Sequence, residues 1–97
     1  MLARRLDVVF SGSFKRDFKR LVEGDQRVER RLEHCVELLR SGVHTAGMNL
    51  EKIEGYERIR GLRSVRLSDE LRMSVIIGET LTLLRINHHD DLYDNPV

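Results

Sequence analysis

Ninety-seven residues allow one domain, spanning 1–97, built around one core, and a balance of 40% apolar to 34% charged is that of a globular chain. No run of about 18 apolar residues occurs, which excludes a membrane-spanning helix; the single cysteine, Cys35, excludes an internal disulfide and a cysteine-cluster metal site, and a reducing cytoplasm is the expected compartment. Net charge is +1, but with Asp90, Asp91 and Asp94 set aside the rest of the chain carries 17 bases against 13 acids, mostly arginine, the side chain suited to planar phosphate or carboxylate recognition.

The opening MLARRLDVVFSGSF is too polar for a secretory signal, and residues 5–10, RLDVVF, read as a short strand. Ser11 or Ser13 is the predicted N-cap of a first helix, FKRDFKRLV. Phe14, Phe18, Leu21 and Val22 form its apolar stripe, and Lys15, Arg16, Asp17, Lys19 and Arg20 its wet side. Gly24 stops this helix and Asp25 caps a second, QRVERRLEHCVELLRS, which ends at Gly42. Val28, Leu32, Cys35, Val36 and Leu39 repeat there at helical spacing, and charges of alternating sign lie opposite. Cys35 is expected in the core and His34 at the solvent edge. The tight link at Gly24 implies an antiparallel helical hairpin.

Residues 43–57 break the periodicity and are expected to form a loop with a short turn at NLEK; His44, Glu51, Lys52 and Glu54 are candidates for the rim of a site. Strands come next. Over 62–67, Leu62, Ser64 and Arg66 share one face, and over 71–77, Leu71, Met73, Val75 and Ile77 alternate with Arg72, Ser74 and Ile76. Ser68-Asp69-Glu70 turns between them, and Gly78-Glu79 suits a two-residue hairpin link. Residues 80–87, TLTLLRIN, are nearly continuous in apolar side chains and read as a central strand. The closing HHDDLYDNPV is expected to lie past the last strand, with Pro96 forbidding further pairing. The predicted fold is α+β in the order β-α-α-β-β-β: a two-helix hairpin packed on one face of a mainly antiparallel four-stranded sheet. The other face, bearing Arg66 and Arg72, is expected to stay open.

This order, with FKRDFKRL in the first helix, SVRLSDELRM across the middle turn and LLRINHHDDLY at the end, resembles the RelE/ParE superfamily of bacterial toxins over residues 7 to 93. Its specific parts are Arg66, Arg72 and the run Ile86 to Tyr93. The resemblance implies the toxin of a type II toxin–antitoxin pair, a RelE-like enzyme that cuts mRNA in the ribosomal A site without a metal or other cofactor. It also implies a cognate antitoxin that lays a helix or strand over the toxin, and contact with operator DNA only through that antitoxin. Two alternatives stand beside it: a ParE-like poison of DNA gyrase, and a silent homologue acting only with its antitoxin. The sequence departs from the RelE pattern in that His89 occupies the place of a catalytic arginine and the lysine pair is reduced to Lys52. In this the ending is similar to the histidine-using YoeB-like and YafQ-like branches.

Metal-free RNA cleavage needs a base for the ribose 2′-OH, a cation for the charge growing on phosphorus and an acid for the 5′-oxygen. Histidine titrates near neutrality and arginine on a rigid sheet holds phosphate. On the resemblance, Arg72 and Arg66 would clamp the scissile phosphate, His89 would be acid or base, and Tyr93 would stack on a base or donate a proton. Lys52, Arg63, Arg85 and His88 would make further RNA contacts. Each has a structural reading as well. Arg72 has Asp69 and Glu70 within reach of an ion pair across the turn. His88 and His89 point oppositely, and His88, in phase with Ile86, is a candidate buried histidine that orients its neighbour. Asp90 and Asp91 are candidates to fix a turn or a histidine tautomer. A metal site at His88-His89-Asp90-Asp91 is disfavoured because adjacent strand histidines diverge.

Overall fold

Ser11 sets the start of the first helix, its Oγ accepting the Phe14 amide at 3.0 Å. In the computed structural model, which describes residues 5–97, strand β1 (Asp7–Phe10) precedes it and helix α1 runs over Gly12–Leu21. Asp25 caps α2 (Gln26–Arg40) through the Val28 amide. Strands β2 (Leu62–Arg66), β3 (Leu71–Ile77) and β4 (Thr80–His88) come next in the chain, then a short helix, α3 (His89–Asp94). The sheet order is β1-β4-β3-β2; β1 runs parallel to β4, and the other pairs are antiparallel. No helix among the described residues is long and apolar enough to cross a membrane.

The helical hairpin covers one face, as its stripes require. Phe14, Val22, Val28, Leu32, Cys35 and Leu39 close on Val65, Met73, Val75, Leu81, Leu83 and Ile86 in one core. The second face departs from the expectation that it stays open. The segment after β4 turns back as α3 and packs on β3 and β4. Leu92 and Pro96 become fully buried, and Ser74 donates from Oγ to the Pro96 carbonyl at 2.6 Å. Ile53 and Leu62 are buried outside the main core as well. Part of the second face therefore has its own small apolar cover, while Arg66 stays exposed and Arg72 half-buried.

Strand β4 is irregular along its length and incompletely paired at its edge. Ser74 opposes Arg85 while Val75 opposes Leu83, so Leu84 is an additional residue on β4 and the ladder bulges. Beyond Phe10, no strand among the described residues lies on the β1 side of β4, and α1 with its N-cap supplies the missing partners: Ser11 Oγ donates to the Leu84 carbonyl and Asp17 Oδ2 accepts the Ile86 amide at 3.0 Å. Asp17 is thus not on the wet side of α1. It is buried, with Arg85 Nε 2.7 Å from the same oxygen. Burial pushes its carboxyl pKa up, but the bonds from Arg85 and the Ile86 amide outweigh that and hold it below the usual carboxylate value.

The 43–57 segment is also more structured than a loop. It makes a 3-10 turn at Ala46–Met48, buries Met48 and Ile53, and pairs Glu51 with Ser64 in a single antiparallel bridge. Its continuation closes on the sheet at Gly61, where φ is +77° and the carbonyl accepts the Ile77 amide at 2.9 Å. A Cβ there would lie 2.3 Å from the Ile77 carbonyl oxygen. Gly61→Ala is expected to cost roughly 1–2 kcal/mol from the left-handed backbone alone, with the clash added, read as a lower urea midpoint at unchanged slope.

Candidate functional site

The bridge between Glu51 and Ser64 brings two polar side chains to one face at the outer edge of β2, because directly opposed residues in an antiparallel pair point the same way. Tyr93, on the last turn of α3, reaches both. Its hydroxyl lies 2.9 Å from Glu51 Oε2 and 2.7 Å from Ser64 Oγ. A carboxylate only accepts, so the phenol donates to Glu51 and the buried Ser64 hydroxyl donates to the phenol. Burial raises the Tyr93 pKa; its bond to Glu51 adds to this, while the Ser64 bond and the Arg72 charge oppose it. The phenol keeps its proton and is a donor, not a base.

One helical turn before Tyr93, His89 stacks on its ring, with centroids 4.4 Å apart and planes 25° from parallel. His89 Nδ1 lies 3.1 Å from Asp90 Oδ1, which fixes that nitrogen as the protonated one and leaves Nε2 for other partners. Arg72 lies close enough to act on the phenol with its charge. It makes no ion pair across the turn: Nη1 donates to the carbonyls of Ser68 and Leu71, at 2.8 and 3.2 Å, which stretches the side chain along the turn. Arg66 stands opposite Arg72 in the register and is the arginine that pairs with Asp69.

Arg72, His89 and Tyr93 are therefore brought together, with Arg66 beside them. The structure adds Glu51, which the sequence places only at a rim, and Ser64, which sequence reasoning misses. The other expected contacts lie elsewhere. Arg85 is committed to Asp17. His88 is exposed rather than buried, and opens on the helical side, into a cavity of about 710 Å³ shared with Arg27, Arg31 and Asp69. Lys52 and Arg63, next in sequence to Glu51 and Ser64, line a separate small cavity. Among the described residues no three of His, Cys, Asp and Glu gather as metal ligands.

The site thus holds a fixed proton donor, a carboxylate bonded to it, an imidazole with a free nitrogen, and guanidinium groups. Such a set can move protons at both ends of a phosphodiester while neutralising its charge.

No protein-family model matches the chain, and no curated protein matches it. Solved structures do. A chain of the E. coli DinJ-YafQ toxin–antitoxin complex superposes with a TM-score of 0.75 at 19% identity, covering 91% of this chain and 97% of that one. The YoeB dimer from Staphylococcus aureus gives 0.72 at 20% identity, covering 88% and 98%. A metal-bound toxin from Helicobacter pylori gives 0.71 at 23%, covering 90% and 98%. At these identities the likeness is one of fold, and it is the fold that the resemblance to RelE/ParE toxins implies.

Proposed function

From a chain with the RelE/ParE fold, we propose a toxin of a toxin–antitoxin pair that cleaves mRNA on the ribosome, restrained by a small cognate antitoxin. The observation that supports it best is the cluster of His89, Tyr93, Glu51 and Arg72 at one sheet margin. The ribose 2′-OH attacks phosphorus, and its proton passes to Glu51 or to Nε2 of His89. Arg72, with Arg66, carries the charge that builds on the phosphoryl oxygens. The bond to the 5′-oxygen breaks as that oxygen takes a proton from Tyr93 or from the His89 imidazolium. The products are a 2′,3′-cyclic phosphate and a free 5′-hydroxyl. The complexes of the similar chains with DinJ and YefM favour a protein antitoxin as partner.

The test is brief induction in a bacterial host with mapping of mRNA 5′ ends. Cuts inside translated codons are expected, and they should vanish when translation is blocked before elongation. An unchanged transcript profile during growth arrest would sink the nuclease reading and favour a gyrase target. Tyr93→Phe keeps the ring that stacks on His89 and removes the hydroxyl, with its bonds to Glu51 and Ser64; cleavage by the purified protein on programmed ribosomes is expected to slow about 10²-fold or more.

A further inference from the structure

A second concavity lies beside this cluster, and the cleavage chemistry leaves it unused. It has a volume of about 250 Å³, and its lining includes Lys52, Arg60 and Arg63 together with Ile53, Tyr56 and Glu57. No carboxylate pairs with any of the three cations among the described residues. Its single acid, Glu57, accepts the Gly55 amide at 3.0 Å and keeps its charge, which leaves three cations against one carboxylate. Arg63 spends one donor on the Leu62 carbonyl and keeps the rest of its guanidinium. An excess of positive charge around a hollow favours an anion there.

The remaining wall says which kind. Tyr56 is half-buried, and its hydroxyl donates to the Asp94 carbonyl at 2.9 Å, so the ring is pinned in place beside the apolar Ile53. A fixed aromatic ring next to cations is the arrangement that holds a base by its face and its phosphate by charge. One link ties this hollow to the cluster: Tyr56 bonds to Asp94, the residue after Tyr93 on α3.

We infer that the hollow between Lys52, Arg60, Arg63 and Tyr56 is a subsite for one nucleotide of single-stranded RNA, flanking the nucleotide presented to Tyr93. This rests on the nuclease reading for its purpose, but not for its test. The subsite sets how the strand is threaded: its phosphate is clamped at one side, so the neighbouring linkage is delivered to Glu51 and His89.

The test uses a short fluorescent single-stranded RNA with 2′-O-methyl ribose, which binds but has no nucleophile for cleavage. Its affinity for the whole protein is measured against salt. Lys52→Ala and Arg60→Ala are each expected to lower the salt slope by about 0.7, the value for one phosphate contact on a single strand. Arg58→Ala removes an exposed cation of the same loop that does not line the hollow, and is expected to leave the slope unchanged. Absence of binding by the unaltered protein overturns the subsite. So do unchanged slopes in the two cavity variants, or an equal drop with Arg58→Ala. Normal cleavage with unchanged slopes removes the subsite and keeps the nuclease; the expected slopes with no cleavage do the reverse.

Discussion

On the proposed function, Arg72→Ala and His89→Ala are each expected to abolish the growth arrest expected on induction of the unaltered protein. On ribosomes programmed with a defined codon, Arg72→Ala should slow cleavage about 10²–10³-fold, as loss of a fixed charge-stabilising donor does. His89→Ala should slow it about 10²–10⁴-fold, the range for one proton-transfer group. The two effects differ in kind. In the proposed chemistry the imidazole transfers a proton, whereas the guanidinium only carries charge. Full arrest by both variants would remove these side chains from the chemistry. Arg72 also holds the Ser68 and Leu71 carbonyls, so a thermal midpoint close to that of the unaltered protein is the required control.

The largest effect on stability is expected at Asp17. It is buried, it pairs with Arg85, and it accepts an amide that no strand reaches. Asp17→Ala leaves both donors without a partner and is expected to cost about 3–5 kcal/mol, a large share of the roughly 5–15 kcal/mol that holds a domain together. Asp17→Asn keeps an acceptor for the Ile86 amide and loses the charge, so it should cost less. The two variants also differ from the unaltered protein in acid. A carboxyl whose folded pKa is depressed stabilises fully above its unfolded pKa, and the contribution fades as pH falls through the folded value. Urea midpoints should therefore fall for the unaltered protein below pH of about 4, and the gap to Asp17→Asn should close over that window. A gap that stays constant down to the acid limit would show that the charge is not what matters there.

The helices are legible in the sequence because their signals are local. Ser11 and Asp25 are caps, and the stripes through Phe14 and Leu39 come from 3.6-residue spacing. The strands are legible because Leu71, Met73 and Val75 alternate with polar neighbours. Asp17 is assigned to the wrong side although the spacing holds the clue: position 17 lies three after Phe14 and four before Leu21, inside the apolar stripe, where an acid needs a buried partner. The bulge at Leu84 is hidden because a run such as LTLLRI has no alternation to interrupt. Helix α3 escapes because six residues with two adjacent aspartates resemble a turn. On a helix, the four-residue step from His89 to Tyr93 puts both rings on one side. The bridge from Glu51 to Ser64 has no local signature at all, and with it goes Ser64, a serine whose role emerges only when the chain has folded back.

Asp7 lies opposite Thr80, so β1 finds its partner β4 after most of the chain has been made. The Glu51–Ser64 edge likewise stays without its aromatic cap until α3 arrives. During synthesis the nascent polypeptide thus carries unpaired pieces of the cluster and no assembled one. A ribosome translating this message is not exposed to the finished protein it is producing until the chain has grown past Tyr93, an order of events that long-range pairing imposes by itself.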